Sequence, residues 1–455
     1  MTAQRNDTPS GRRTGRTGRT GRTRRTTRAL ARAGAALVAL CALATGCSLF
    51  GPDEMRVVWD TPADRKGEPQ GNGAWLAGDT LVRSRFDAVR GYDASSGRRS
   101  WEYVPPGRSA VCHAAADTDG SVLVLTRDRD GASATAKGEP CATAVAIDMA
   151  NGRVLWERPL SVTDTALHRL QPYTVSAGGG IAVLLTGEQL RAVDARTGKP
   201  RWKAALPKGC VPGRTATAKR HVAALLACGG TGKRWDEKVP DGAELHAAAF
   251  APDTGALLWS GPLGDRRAVG WDAAAAFVSA DPVVVAASES SDSDFGAYFS
   301  FGGNGRPNPP IDFKGSYGEI SRDRRLTAAV GDGRLYVLPY HRVRISRFEY
   351  RLTAFDLATG EPVWGGTLED DRLDGETGYH LQFQDGRLLV LATSDGSDHG
   401  LRVLDPATAE QREARDFPDD PGPADTLFVY KERIVVARYG AYTTPPRPFT
   451  AYARD

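Results

Sequence analysis

Ala192-Val193-Asp194-Ala195-Arg196-Thr197-Gly198-Lys199-Pro200-Arg201-Trp202 is the stretch on which the reading of this chain turns. Glycine stands four residues after the aspartate and tryptophan eight after it. The same spacing recurs in Asp93, Gly97 and Trp101, in Asp148, Gly152 and Trp156, and in Asp356, Gly360 and Trp364. A further copy keeps Gly255 and Trp259 but has Ala251 at the aspartate position. Repetition at this spacing marks an array of like units.

Each copy reads as one β-hairpin. An apolar strand ends at the aspartate, a tight turn reverses the chain, and a second strand carries the tryptophan outward. The aspartate caps the turn by accepting backbone N–H bonds, and the glycine supplies a positive φ that side chains with a Cβ adopt at a cost. An indole at a fixed hairpin position in every copy is placed to pack against the neighbouring copy.

The A-x-D-x-x-T-G-x-x-x-W pattern resembles the tryptophan-docking motif of quinoprotein-like β-propellers, the PQQ-like repeats. The relatives this suggests are extracytoplasmic: quinoprotein alcohol dehydrogenases, the propeller lipoprotein of outer-membrane protein assembly, and sensor domains of bacterial receptor kinases. The resemblance covers nearly all of the chain after about residue 55 and implies an all-β propeller of four-stranded blades.

Residues 1–46 have a different character. Near-repeats of Thr, Gly and Arg cannot bury a core, and they lead into the apolar run Ala33 to Ala44 and then Thr45-Gly46-Cys47. A basic segment, a short apolar run and small residues before a cysteine read as a signal peptide. The cysteine context resembles a bacterial lipobox, so Cys47 is the expected lipidation site, with 47–54 a tether and 55–455 the propeller. The expected location is the extracytoplasmic face of the cell membrane, and the composition suits a high-GC Gram-positive bacterium. Arg24-Arg25 lacks the hydrophobic residues expected after a twin-arginine pair, and the export route stays open. Without residues 1–46 the chain keeps 49 basic and 54 acidic residues, a net charge of −5. The basic excess belongs to the leader, so nucleic acid is not an expected partner.

Four cysteines remain after Cys41 in the signal and Cys47. In an oxidising compartment they read as two disulfides, most simply Cys112 with Cys141 and Cys210 with Cys228, each within one repeat; other pairings stay open. No cysteine or histidine spacing suggests zinc.

The motif positions fall at 93, 148, 194, 251, 356 and 405. The double gap from 251 to 356 holds a degenerate copy, with Gly305 at the glycine position and Pro309 at the tryptophan position. Thr450-Ala451-Tyr452-Ala453 looks like a third strand without its partner, and Met55-Arg56-Val57-Val58-Trp59 looks like a tryptophan strand without its hairpin. Pairing these would close a ring of eight blades. Seven is the alternative, should 297–309 be an insertion.

The turns after the motif aspartates are uniform, whereas the loops between second and third strands vary. Those loops crowd one face, the usual seat of binding on a rigid scaffold. The stretches 127–140, 229–243, 288–296, 339–350 and 438–448 belong to it. Arg342, Arg344 and Arg347, with Tyr439 and Tyr442, form the candidate protein-partner surface. Ser291 to Gly296 has fragments of a calcium loop without the distal glutamate, so no metal is expected. The seven histidines are scattered and read as structural or surface groups. A PQQ-dependent dehydrogenase or a ligand-sensing propeller is the rival reading. No adjacent cysteine pair, C-x-x-C-H or G-x-S-x-G motif supports a dehydrogenase or a hydrolase. The expectation is a non-catalytic, membrane-anchored binding or scaffolding module without a cofactor.

Overall fold

The computed structural model describes residues 53–64, 71–128, 141–160, 175–186, 189–230, 242–263, 275–288, 296–320, 328–344, 347–367, 378–393, 400–418, 421–422, 424–440 and 446–454. The expected signal peptide, Cys47, most of the expected tether and Tyr442 lie outside them. So do the calcium-loop fragment and most of the stretches 127–140, 229–243 and 288–296. The described residues are β-strands and turns, with one short 3-10 helix at Pro106–Arg108. Among them no helix is long and apolar enough to cross a membrane.

The strands fall into antiparallel sheets of consecutive neighbours, the arrangement from which a β-propeller is built. Five separate four-stranded sheets follow one another in the chain, spanning 71–103, 111–159, 175–203, 210–262 and 275–312. A sixth sheet carries a four-stranded core over 328–367 and has seven strands in all. An eight-stranded sheet comes last and consists of two halves, one over 378–416 and one over 426–454 completed by Asp53–Asp60. The degenerate stretch is a true part of the fifth sheet, since Gly296–Ser300 pairs with both Val283–Ser288 and Ile311–Asp312.

The apolar second strands account for the core. Val122 to Leu125, Val222 to Leu226 and Leu388 to Leu391 are almost wholly buried, as strands covered on both faces must be. Burial occurs between successive sheets. Leu225 and Leu245 meet Val283 and Val285 across one such joint, and Leu389 and Val403 meet Leu427 and Val436 across another. Leu81, Tyr92 and Ala94 of the first sheet pack on Val435, Phe449 and Ala451 of the last half-sheet.

The amino-terminal strand Asp53–Asp60 pairs antiparallel with Phe449–Arg454, Met55 lying opposite Arg454 and Trp59 opposite Ala451. It begins two residues before the expected boundary at 55, because Asp53 and Glu54 also pair, in parallel, with Arg415 and Asp416 of the neighbouring half-sheet.

Candidate functional site

Antiparallel order gives every sheet two unlike ends. The first-to-second and third-to-fourth turns share one end, and the second-to-third loop shares the other with the connection to the next sheet. At the short-turn end the residue after Asp93, Asp148, Asp194 and Asp356 donates its N–H to the first-to-second turn. Examples are Met149 to the Ser121 carbonyl (2.7 Å), Ala195 to that of Gly180 (3.0 Å) and Leu357 to that of Gly333 (3.0 Å).

The motif hairpins have the geometry their sequence asks for. Oδ1 of Asp194 accepts the Thr197 N–H (2.9 Å) and the Thr197 hydroxyl (2.8 Å), and the hydroxyl bond holds its carboxyl below the ordinary aspartate range. Gly198 has φ 66°, and a Cβ there would lie 2.7 Å from Cγ of Trp156 in the preceding sheet. Gly97 meets Trp59, Gly152 meets Trp101, Gly255 meets Trp202 and Gly305 meets Trp259 in the same way. Four joints are also tied by a hydrogen bond to the carbonyl just after the motif aspartate position. Trp101 Nε1 donates to Met149 (3.0 Å), Trp156 to Ala195 (2.8 Å), Trp202 to Pro252 (2.6 Å) and Trp364 to Pro406 (3.1 Å).

Other joints are built differently. Where Pro309 replaces tryptophan, its ring and carbonyl cover Gly360, and the Ser300 hydroxyl donates to the Leu357 carbonyl (2.7 Å) in place of the indole. At position 405 the copy has Ala409 for glycine, held at φ 63°, and Glu413 for tryptophan. Glu413 accepts from Arg415 (2.6 Å) and from Arg454 near the chain's end (2.8 Å). These partners, Arg415 foremost, hold its carboxyl below the ordinary range. The hairpin it would have docked on is the one divided between Phe449–Arg454 and Asp53–Asp60. Trp59 docks on Gly97 with no partner for its buried Nε1 among the described residues.

At the long-loop end the bases of two loops are covalently braced. Cys112 is bonded to Cys141 and Cys210 to Cys228, the second pair lying directly opposite across two strands. Arg127, 2% exposed, adds a polar clamp. Its Nη2 reaches Glu157 (2.7 Å) and its Nη1 the Asp128 carbonyl (3.0 Å). Among the described residues, the one cluster with metal-ligand atom types is Cys112, Asp128 and Cys141. Its two sulfurs are the disulfide, and no thiolate is left to bind an ion.

The candidate partner surface differs from its expected form. The stretch 339–350 is not a loop but a projecting hairpin, Pro339–Arg344 against Arg347–Asp356, extended by Gly318–Ile320 and Lys314–Gly315. Aromatic and β-branched residues alternate there with charged ones, the pattern of a strand with two solvated faces. Tyr340 packs edge-on to Phe348 with centroids 5.3 Å apart and donates to Glu319 (2.7 Å). Arg342 is exposed, beside Val343 (53% exposed) and Phe348 (42%). The side chains of Arg344 and Arg347 lie outside the described residues. Tyr439 is only partly accessible, and burial pushes its phenol up to about 12.

A cavity of about 740 Å³ at the short-turn end has no counterpart in the sequence reading. It opens to solvent and is bounded by the first strands of the third, fourth and fifth sheets and the turn 116–120 of the second. Its polar lining includes Ser176, Thr215 and Thr217, with Asp117, Asp119, Lys219 and Asp281 around it. The turn signals Asp119-Gly120 and Gly178-Gly179-Gly180 mark where the inner strands end, but only the packing of neighbouring sheets makes those ends converge. Pyrroloquinoline quinone, the cofactor of one branch of the resemblance, bears three carboxylates. Three aspartates and one lysine as the charged lining do not fit it.

A model of the family described as outer membrane protein assembly factor BamB matches residues 48–232. No curated protein matches the sequence. Among solved structures the chain is similar to BamB from Moraxella catarrhalis, at 15% identity over 87% of this chain and 99% of that one, with a TM-score of 0.47. It is similar to the computationally designed Ika8 protein at 13% identity over 87% and 99%, TM-score 0.50. It is also similar to the quinohemoprotein alcohol dehydrogenase ADHIIG from Pseudomonas putida HK5 at 12% over 89% and 76%, TM-score 0.48. The chain resembles the PQQ-like propellers, and over residues 48–232 the family of BamB.

Proposed function

We propose that this chain is an eight-bladed propeller closed by its terminal strands, held on the extracytoplasmic face of the membrane through lipid on Cys47, and that it scaffolds protein partners at its long-loop end. The observation that carries the reading is the contrast between the two ends. Indoles and motif glycines cement the joints between sheets, whereas the loops at the long-loop end vary in length and two of them rest on disulfide-braced bases. Such a scaffold holds loops in fixed relative positions, which lowers the ordering cost of binding a partner.

Similarity to an assembly factor supports the partner-binding mode and not a particular partner. The mismatch between the cavity's carboxylates and a tricarboxylate cofactor favours binding over quinone catalysis. Crosslinking in intact membranes followed by capture through this chain tests the reading. Reversing charge at Arg342, Arg344 and Arg347 is expected to weaken capture with little change in melting temperature, since exposed charges add little to folding. A Cys47→Ala protein is expected to leave the membrane fraction. Retention there, with the same processing, would overturn the anchor, and capture untouched by the charge reversals would overturn the surface.

A further inference from the structure

The cavity at the short-turn end has an unbalanced charge. Beneath its rim lies a set of buried hydroxyls: Ser176 Oγ is 3.1 Å from Thr215 Oγ1 and 2.6 Å from Thr217 Oγ1, and all three residues are at most 4% exposed. Of the carboxylates around them, Asp281 is matched by Arg220, whose Nε reaches it at 2.6 Å. Asp119 accepts the Gly180 N–H at 2.8 Å, which satisfies an oxygen but not the charge. Asp117 opens onto the cavity where water reaches it, yet protein atoms crowd it enough to raise its pKa by desolvation. Among the described residues no ion pair reaches Asp117 or Asp119, Arg220 being taken up by Asp281. Lys219 is the one cation in the lining, so two carboxylates face one ammonium.

From this geometry we propose that the cavity is a binding site for a small organic cation, a primary ammonium on a flexible body. The ammonium has three N–H donors and no acceptor. The cavity supplies the converse, with free carboxylate oxygens on Asp117, a second carboxylate on Asp119, and hydroxyl oxygens that retain lone pairs after bonding one another. Its volume is within the range that encloses a small molecule rather than an ion alone. A cation seated at Asp117 supplies the countercharge that the protein does not. The inference is independent of the long-loop end, because it concerns the opposite end of the sheets.

Isothermal titration of the purified chain with spermidine and putrescine tests it, with glucose as a neutral polyol and citrate as an anion. Both amines are expected to bind and glucose and citrate not to. Asp117→Asn should weaken spermidine binding by about tenfold or more, the effect of losing one charge-assisted hydrogen bond. Lys219→Ala should strengthen it by removing a like charge. Asp253→Asn, an exposed turn residue away from the cavity, should leave it unchanged and so separates the site from general attraction to an acidic surface. Because no hydrogen bond or ion pair to Asp117 is present among the described residues, D117N should melt with the parent; were it not to fold, K219A would still decide. Absence of amine binding, equal binding of glucose or citrate, an unaltered affinity in D117N, or a weaker one in K219A would each overturn the proposal.

Discussion

At Gly198 a methyl group meets two obstacles at once, a positive φ and the ring of Trp156. Gly198→Ala is therefore expected to cost roughly 2 kcal/mol, the sum of backbone strain and displaced packing. Ala409 poses the reverse case, an alanine already held at φ 63°. Ala409→Gly should stabilise the chain by about 0.5–1 kcal/mol, and urea denaturation of the two variants beside the parent checks both signs. Ser300 allows a third test of the same joint chemistry. Its hydroxyl does for the Leu357 carbonyl what an indole does elsewhere, so Ser300→Ala should cost about 1–2 kcal/mol by leaving that buried acceptor without a donor. An unchanged midpoint would mean that the joint is held by Pro309 alone. The motif spacing made the aspartate, glycine and tryptophan legible in the sequence, because their roles follow from local turn geometry. The substitution by Ser300 was not legible, since serine and its acceptor are 57 positions apart.

Among the strands, the hairpin divided between the two ends of the sequence has the most to lose. Glu413 of the neighbouring copy, which Arg454 of that hairpin reaches, has its pKa depressed, so its contribution to stability is present above the unfolded value of 4.5 and is lost as pH falls through the folded value. Glu413→Gln should therefore cost about 1 kcal/mol at neutral pH, and the gap to the parent should close in acid as the parent's own carboxyl protonates. A gap that persists at low pH would make Glu413 a packing group instead. The disulfides act at the same scale. Each closes a loop, with sequence separations of 29 and 18, and opening either by cysteine-to-serine replacement should cost about 3–4 kcal/mol in the chain-entropy model. Turn signals and apolar runs sufficed to read most strands. The projecting hairpin at 339–350 escaped because it lies between a second and a third strand, where a connecting loop is expected, although charged residues alternating with Tyr340, Val343 and Phe348 suit a strand exposed on both faces.

For the molecule as a whole, acid sensitivity should begin well above the carboxylate range. Burial lowers both His113 and His380 from 6.5 to about 4, so the folded state prefers them neutral. Their contribution is complete above pH 6.5 and is lost between 6.5 and about 4, each histidine adding a slope of about 1.4 kcal/mol per pH unit within that window. His380→Gln should reduce the slope by one proton, as read from urea midpoints at pH 7, 5.5 and 4.5. The all-β repeat was legible from the sequence because every copy repeats the same instruction. The cavity was not, since it belongs to no copy but to the convergence of four. The pairing of Met55 with Arg454 has one more consequence. The strand made first waits for the strand made last, about 400 residues later, which at ordinary synthesis rates is on the order of a minute. Through that interval its edge stays open to wrong partners. The chain's vulnerability is thus set by time as well as by energy, and a chaperone that shields one short segment near the amino terminus would protect the entire fold.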